Sequence, residues 1–123
     1  MTDDSIDFSL LVGRSVPTRC YAAGETIFSE GDPATELYVI QKGRVKVMLG
    51  NRLLDEFTEN AIFGEMALIE AKARSATAIA ATDVTLVPVT EKQFLFLVSN
   101  TPYFALKVMR AMAGRLRATS RAL

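Results

Sequence analysis

The sequence predicts a mainly β fold, an antiparallel barrel or sandwich with helices at its flanks. Three observations carry that expectation. From Val16 to about Val89, short β-like runs alternate with turn residues. After Thr90 the punctuation stops and the spacing of apolar residues becomes helical. Half of the 123 residues are hydrophobic and 23% are charged, so one domain of this length can close a core.

Residues 1–15 carry Ile6, Phe8, Leu10, Leu11 and Val12 among Asp and Ser and end before a β-rich stretch. This segment reads as a short helix with Asp4 or Ser5 as its cap. The second unit, residues 16–89, holds the β runs: Arg19 to Tyr21, Thr26 to Phe28, Glu36 to Ile40, Arg44 to Leu49, Leu53 to Phe57, Ser75 to Ala81 and Val84 to Val89. Gly24, Gly31-Asp32-Pro33, Lys42-Gly43, Gly50-Asn51 and Asp83 separate them. In the fourth run Val45, Val47 and Leu49 alternate with Arg44, Lys46 and Met48, which predicts one dry and one wet face. Gly50-Asn51 fits a two-residue hairpin, because Gly supplies the positive φ of a type II′ turn. Phe28, Tyr38 and Phe57 read as core.

The third unit, residues 90–123, is helical. Thr90-Glu91-Lys92-Gln93 has the spacing of a capping box ahead of Phe94, Leu97 and Val98. Asn100-Thr101-Pro102 stops that helix and starts another, with Thr101 as cap and Pro102 at the first helical position. In the last helix Ala105, Met109, Met112, Leu116, Thr119 and Leu123 recur at spacings of four and three, a short seam that offers a homodimer contact.

Composition excludes a good deal of chemistry. There is no histidine, which removes serine–histidine triads, histidine general bases and metal sites built on imidazole. Cys20 stands alone, so it forms no internal disulfide, and a reducing compartment is the expectation. The 14 Lys and Arg residues balance 14 Asp and Glu, leaving no overall basic field for nucleic acid or an anionic membrane. The acidic N-terminus has neither the charge nor the apolar length of a signal peptide. No apolar run reaches the ~20 residues of a membrane span. A cytoplasmic domain is expected. The basic residues of the last helix, Lys107, Arg110, Arg115, Arg117 and Arg121, read as a solvated face, with no recognition helix after them.

One stretch carries chemistry. Phe63-Gly64-Glu65-Met66-Ala67-Leu68-Ile69 precedes Arg74-Ser75-Ala76-Thr77. A glycine opening a short helical turn directs backbone N–H groups toward one point, where an anion is favoured. Arg74 adds a guanidinium fork that binds two anionic oxygens at once. Glu65 carries the wrong sign for a phosphate and suits a hydroxyl donor such as a ribose. A phosphate clamp beside a hydroxyl acceptor describes a nucleotide pocket. The plainer alternative is a salt bridge between Glu65 and Arg74 that only holds a loop.

The Gly-Glu-x-Ala-Leu stretch at 64–68, followed by Arg-Ser-Ala at 74–76, resembles the cassette of the cyclic-nucleotide-binding domains of catabolite activators, protein kinase A regulatory subunits and gated channels. The resemblance extends upstream through Gly24-Glu-Thr-Ile-Phe-Ser-Glu-Gly-Asp32, Leu37-Tyr-Val-Ile40 and Gly43-Arg-Val-Lys-Val47, and covers roughly residues 16 to 123. It implies an eight-stranded jelly-roll-like barrel, a role as a sensor rather than an enzyme, and no cofactor or metal. The implied ligand is cAMP in preference, with cGMP second, since Ser75 stands where cGMP-selective members often carry Thr. Glu65 would accept the ribose 2′-hydroxyl and Arg74 would pair with the cyclic phosphate. Gly64, Met66, Ala67, Ser75 and Ala76 would complete the cassette's contribution, chiefly through backbone N–H groups. The purine would lie against Val47, Leu49, Ile62 and Phe63. From the last helix, which resembles that of the catabolite activator, Arg115 would approach Glu65 while Thr119 and Ser120 read the base. Ala71 and Ala73 depart from the Gly and Pro common in the family. The alternative is a non-binding interaction or dimerisation module of the same fold, and an enzyme on a similar barrel ranks behind both.

Overall fold

The computed structural model describes residues 17–66, 70 and 72–122, with side chains as far as Arg115. The predicted N-terminal helix therefore falls outside the described residues. Eight strands follow in order: β1 (Arg19–Tyr21), β2 (Thr26–Phe28), β3 (Glu36–Lys42), β4 (Val45–Leu49), β5 (Arg52–Phe57), β6 (Ile62–Phe63), β7 (Thr77–Ala80) and β8 (Val84–Thr90). Two helices close the chain, here α1 (Glu91–Asn100) and α2 (Pro102–Ala122). The strands form two four-stranded sheets, ordered β1-β8-β3-β6 and β2-β7-β4-β5, with every pairing antiparallel.

Strand periodicity divides the core in two. On β3, Leu37 and Val39 face the helices while Tyr38 and Ile40 face the space between the sheets. Strand β8 repeats the pattern with Val87 and Val89 against Val84 and Leu86, and β6 with Ile62 against Phe63. The outer core is completed by Leu97 of α1 and by Phe104, Val108 and Ala111 of α2, spaced to share one helical face. The inner core is closed by Val45, Ala78 and Ala80 from the second sheet. One sheet is thus buried on both sides, which is why β3 reads as a nearly continuous apolar run.

The local signals hold at the helices. The Thr90 hydroxyl accepts from the Gln93 backbone N–H at 3.2 Å, and the Gln93 side chain accepts from the Thr90 N–H at 2.9 Å. Thr101 N–H donates to the Leu97 carbonyl at 2.8 Å and ends α1 one residue before Pro102 opens α2. Leu49 pairs with Arg52 across Gly50-Asn51, and Gly50 has φ +59°. Asn51 lacks a positive φ, so the turn is the expected type II′.

Several sequence expectations change. Strand β6 has only two residues, too few for alternation to show. Strand β7 begins at Thr77 rather than Ser75, because the Arg74 backbone pairs instead with the Gly31-Asp32 turn. The clean dry face of β4 is absent: the register shifts between Val47 and Met48, and beyond that bulge Leu49 is 42% exposed. The helical seam is divided as well. Met112 packs against the outer core while Met109 is exposed, because the row straddles the edge of the face set by Phe104, Val108 and Ala111.

Gly43, between β3 and β4, has φ +95°, and a Cβ there would lie 2.2 Å from the Asp83 carbonyl oxygen. Gly50 has φ +59° with open space around it. Gly43→Ala should destabilise the fold by about 3 kcal/mol and Gly50→Ala by about 1 kcal/mol, compared by urea unfolding.

Candidate functional site

The site is built at the open end of the inner core, where β6 runs into the cassette and the chain returns at Arg74. A cavity of about 410 Å³ lies there, walled by Phe28, Val47, Leu54, Phe57 and Phe63 and floored by Gly64 to Met66 and Arg74 to Ala76. Four of its neighbourhood's rings form a stack: Phe63 lies 5.4 Å from Tyr38, 6.1 Å from Phe28 and 6.3 Å from Phe57, centroid to centroid. The wall is therefore apolar and rigid, while the floor carries charge.

Arg74 is 6% exposed. Its backbone is clipped to the turn between β2 and β3: Arg74 N–H donates to the Asp32 carbonyl at 2.9 Å, and Gly31 N–H donates to the Arg74 carbonyl at 2.8 Å. Asp32 holds that turn in shape by accepting from Ser29 N–H at 2.9 Å. The Arg74 guanidinium donates to the carbonyls of Gly64 (2.9 Å) and Glu36 (2.7 Å) and lies 4.0 Å from the centre of the Phe28 ring. Nε is buried without a partner. Among the described residues no carboxylate lies within ion-pair distance of Arg74. Burial pushes its pKa down, with Tyr38 and the acidic Glu36 and Asp32 opposing; the group remains a cation.

Gly64 has φ +76°, and a Cβ there would stand 2.8 Å from Arg74 Nη1. Glycine is required twice, by the backbone conformation and by the guanidinium beside it.

Glu65 is 4% exposed and pairs with Arg115 of α2, not with Arg74. The loop-holding salt bridge between Glu65 and Arg74 is thereby excluded. Arg115 also donates to the Ile62 carbonyl, and its guanidinium carbon lies 4.3 Å from the centre of the Phe57 ring. The long helix is thus tied to the cassette through one side chain.

The other expected residues divide. Val47, Phe63, Gly64, Glu65, Met66, Arg74, Ser75, Ala76 and Arg115 all border the cavity. Leu49 and Ile62 do not. Ile62 precedes Phe63 on the same short strand and so faces the helices, and Leu49 lies past the bulge that Leu54 makes in β5. Leu54 of β5 provides apolar wall instead. Ala67 is outside the described residues. Thr119 and Ser120 lie on the last turns of α2, and their side chains are also outside. Sequence reasoning missed Phe28, Phe57 and Leu54 as lining residues. The first two read as core from the sequence, and in the structure they both pack on the inner core and line the cavity. Among the described residues, no cluster of His, Cys, Asp and Glu is placed to hold a metal ion, and no helix is long and apolar enough to cross a membrane.

With this geometry established, comparison with known proteins gives a consistent result. Residues 18–101 match the model of the cyclic nucleotide-binding domain. The cyclic AMP receptor protein of Thermus thermophilus is 34% identical over 104 residues, covering 80% of this chain and 48% of the relative. The crystal structure of the Thermus thermophilus catabolite activator protein superposes with a TM-score of 0.77 at 31% identity, over 87% of this chain and 53% of that one. An EAL enzyme in its cAMP-bound form superposes with a TM-score of 0.62 at 37% identity, over 85% of this chain and 30% of the enzyme, and its cGMP-bound form gives 0.63 at 36% over 86% and 30%. The chain belongs to the cyclic nucleotide-binding domain family. It spans about half the length of the Thermus receptor.

Tyr38 supplies a measurable consequence of this packing. Desolvation, reinforced by the Glu36 carboxylate that accepts its hydroxyl proton at 3.0 Å, pushes its pKa from 10 up to about 12. The folded state favours the neutral phenol, so this contribution is complete below pH 10 and fades as pH rises toward about 12. Unfolding free energy followed across that range should fall with pH, and Tyr38→Phe should flatten the fall.

Proposed function

We propose that the chain binds a cyclic mononucleotide in the 410 Å³ cavity, with cAMP preferred over cGMP, and acts as a regulatory sensor rather than a catalyst. The observation that carries this reading is the separation of charges: Arg74 and Glu65 border one cavity without pairing with each other. Arg74 takes the cyclic phosphate, with backbone N–H groups of Gly64, Ala67, Ser75 and Ala76 around it. Glu65 accepts the ribose 2′-hydroxyl. The purine packs on Val47 and Phe63, with Leu54 in place of Leu49 and Ile62. The cAMP-bound and cGMP-bound forms of the EAL enzyme support a fold that admits either base, and Ser75 favours cAMP.

Residues 16–89 then act as receptor and residues 90–123 as the responding lid. Arg115 joins the two by gripping Glu65 and the Ile62 carbonyl. A ribose hydroxyl that enters this pair changes the free energy of the closed arrangement, and the nucleotide shifts α2 by its differential affinity for the two positions. Thr119 and Ser120 read the base from the same helix. A second copy pairs through the exposed part of α2, where Leu106 and Met109 stand free of the core.

Arg74→Ala should cost about 2–5 kcal/mol of cAMP affinity, because the phosphate then lies buried without its cation. Isothermal calorimetry on both proteins decides this, and equal dissociation constants would refute the clamp. Glu65→Gln should bind cAMP and 2′-deoxy-cAMP with nearly equal affinity, while the native protein prefers the ribonucleotide. Equal binding of the two by the native protein would remove Glu65 from the sugar.

A further inference from the structure

We infer that Phe28 is the positioning residue for Arg74, and that its ring sets the preference of the cavity for a phosphodiester over a neutral nucleoside. This inference rests on the nucleotide reading above. Phe28 ends β2, and its ring lies 6.1 Å from both Phe63 and Tyr38, so two stacked aromatics fix its orientation. The Arg74 guanidinium lies 4.0 Å from the Phe28 centroid. Gly64 stands at the edge of this contact, where even a methyl group would come within 2.8 Å of Nη1 and 3.6 Å of Phe28 Cε2. The guanidinium thus rests on a ring face, with bare backbone closing the edge of the contact.

The choice of a ring over an acid has a chemical consequence. A buried cation needs compensation, and a carboxylate would provide it by neutralising the charge. A π face and two carbonyls compensate the cation and leave its net charge intact. Nη1 and Nη2 each donate to one carbonyl, so the guanidinium keeps its charge and further N–H groups for an incoming anion. Replacing the ring by an aliphatic side chain of similar size keeps the wall apolar and removes the support. Affinity for anionic ligands should then fall, while affinity for the same base and sugar without phosphate stays.

The test compares wild type, Phe28→Leu and Phe28→Tyr by titration with cAMP and with adenosine, and follows the Arg74 side-chain Nε–H resonance by NMR without ligand. Phe28→Leu should weaken cAMP about tenfold and adenosine by less than about twofold, with Phe28→Tyr within about threefold of wild type for both. The Nε–H resonance should lose its ring-current displacement in Phe28→Leu and keep it in Phe28→Tyr. Equal weakening of both ligands, no weakening of cAMP, or an unmoved resonance overturns the inference. If Phe28→Leu does not fold, Phe28→Met gives the same contrast. A wild-type protein that binds no cyclic mononucleotide defeats the functional reading itself and this role with it. Wild type that binds beside an indifferent Phe28→Leu defeats only the role of the ring.

Discussion

A guanidinium buried without a carboxylate is the constraint on which the rest of the molecule depends. Moving a cation out of water costs several kcal/mol even after relaxation, so Arg74 is tolerated only where its surroundings answer it. They are drawn from distant parts of the chain: the carbonyls of Glu36 and Gly64 and the Phe28 ring answer the guanidinium, while the Asp32 and Gly31 backbone holds the Arg74 main chain in place. Each of these needs the barrel to be closed. The inner core, the turn at Ser29 to Asp32 and the positive φ of Gly64 are accordingly parts of one device that holds a charge ready for use.

Glu65 shows the complementary arrangement. It is as deeply buried as Arg74, yet it takes its partner from α2 instead of from the cassette. Breaking a buried pair by removing one member strands the other charge, which makes the Glu65–Arg115 contact a stringent link between barrel and helix. The same helix is bound to the outer face of the β1-β8-β3-β6 sheet through Phe104, Val108 and Ala111. Its first turns are anchored by packing and its fourth by an ion pair at the cavity. Under the proposed function, a ligand that competes for the second would act on the helix without disturbing the first, the requirement for a two-state element biased from one site.

Much of this was legible in the residues. The capping box at Thr90 and Gln93, the stop at Thr101-Pro102 and the hairpin at Gly50-Asn51 depend on local chemistry, and each forms where the spacing places it. The cassette was legible because it needs glycine, acid and arginine at fixed separations. What escaped notice depends on the third dimension. Ile62–Phe63 is too short to show alternation, so the sequence does not tell which of the two faces the cavity and which a strand must turn away. The bulge lies on β5, where Leu54 has no partner on β4, and it leaves no mark on the β4 sequence. Phe28 looked like ordinary core, and only the return of the chain at Arg74 gives its ring a cation to support.

The most direct test is a crystal structure of the protein grown in excess cAMP. The account predicts a phosphate in contact with the Arg74 guanidinium and the Gly64 and Ser75 backbone amides, with the ribose 2′-hydroxyl on Glu65. A cavity without nucleotide under those conditions, or a nucleotide bound with its phosphate away from Arg74, would contradict it.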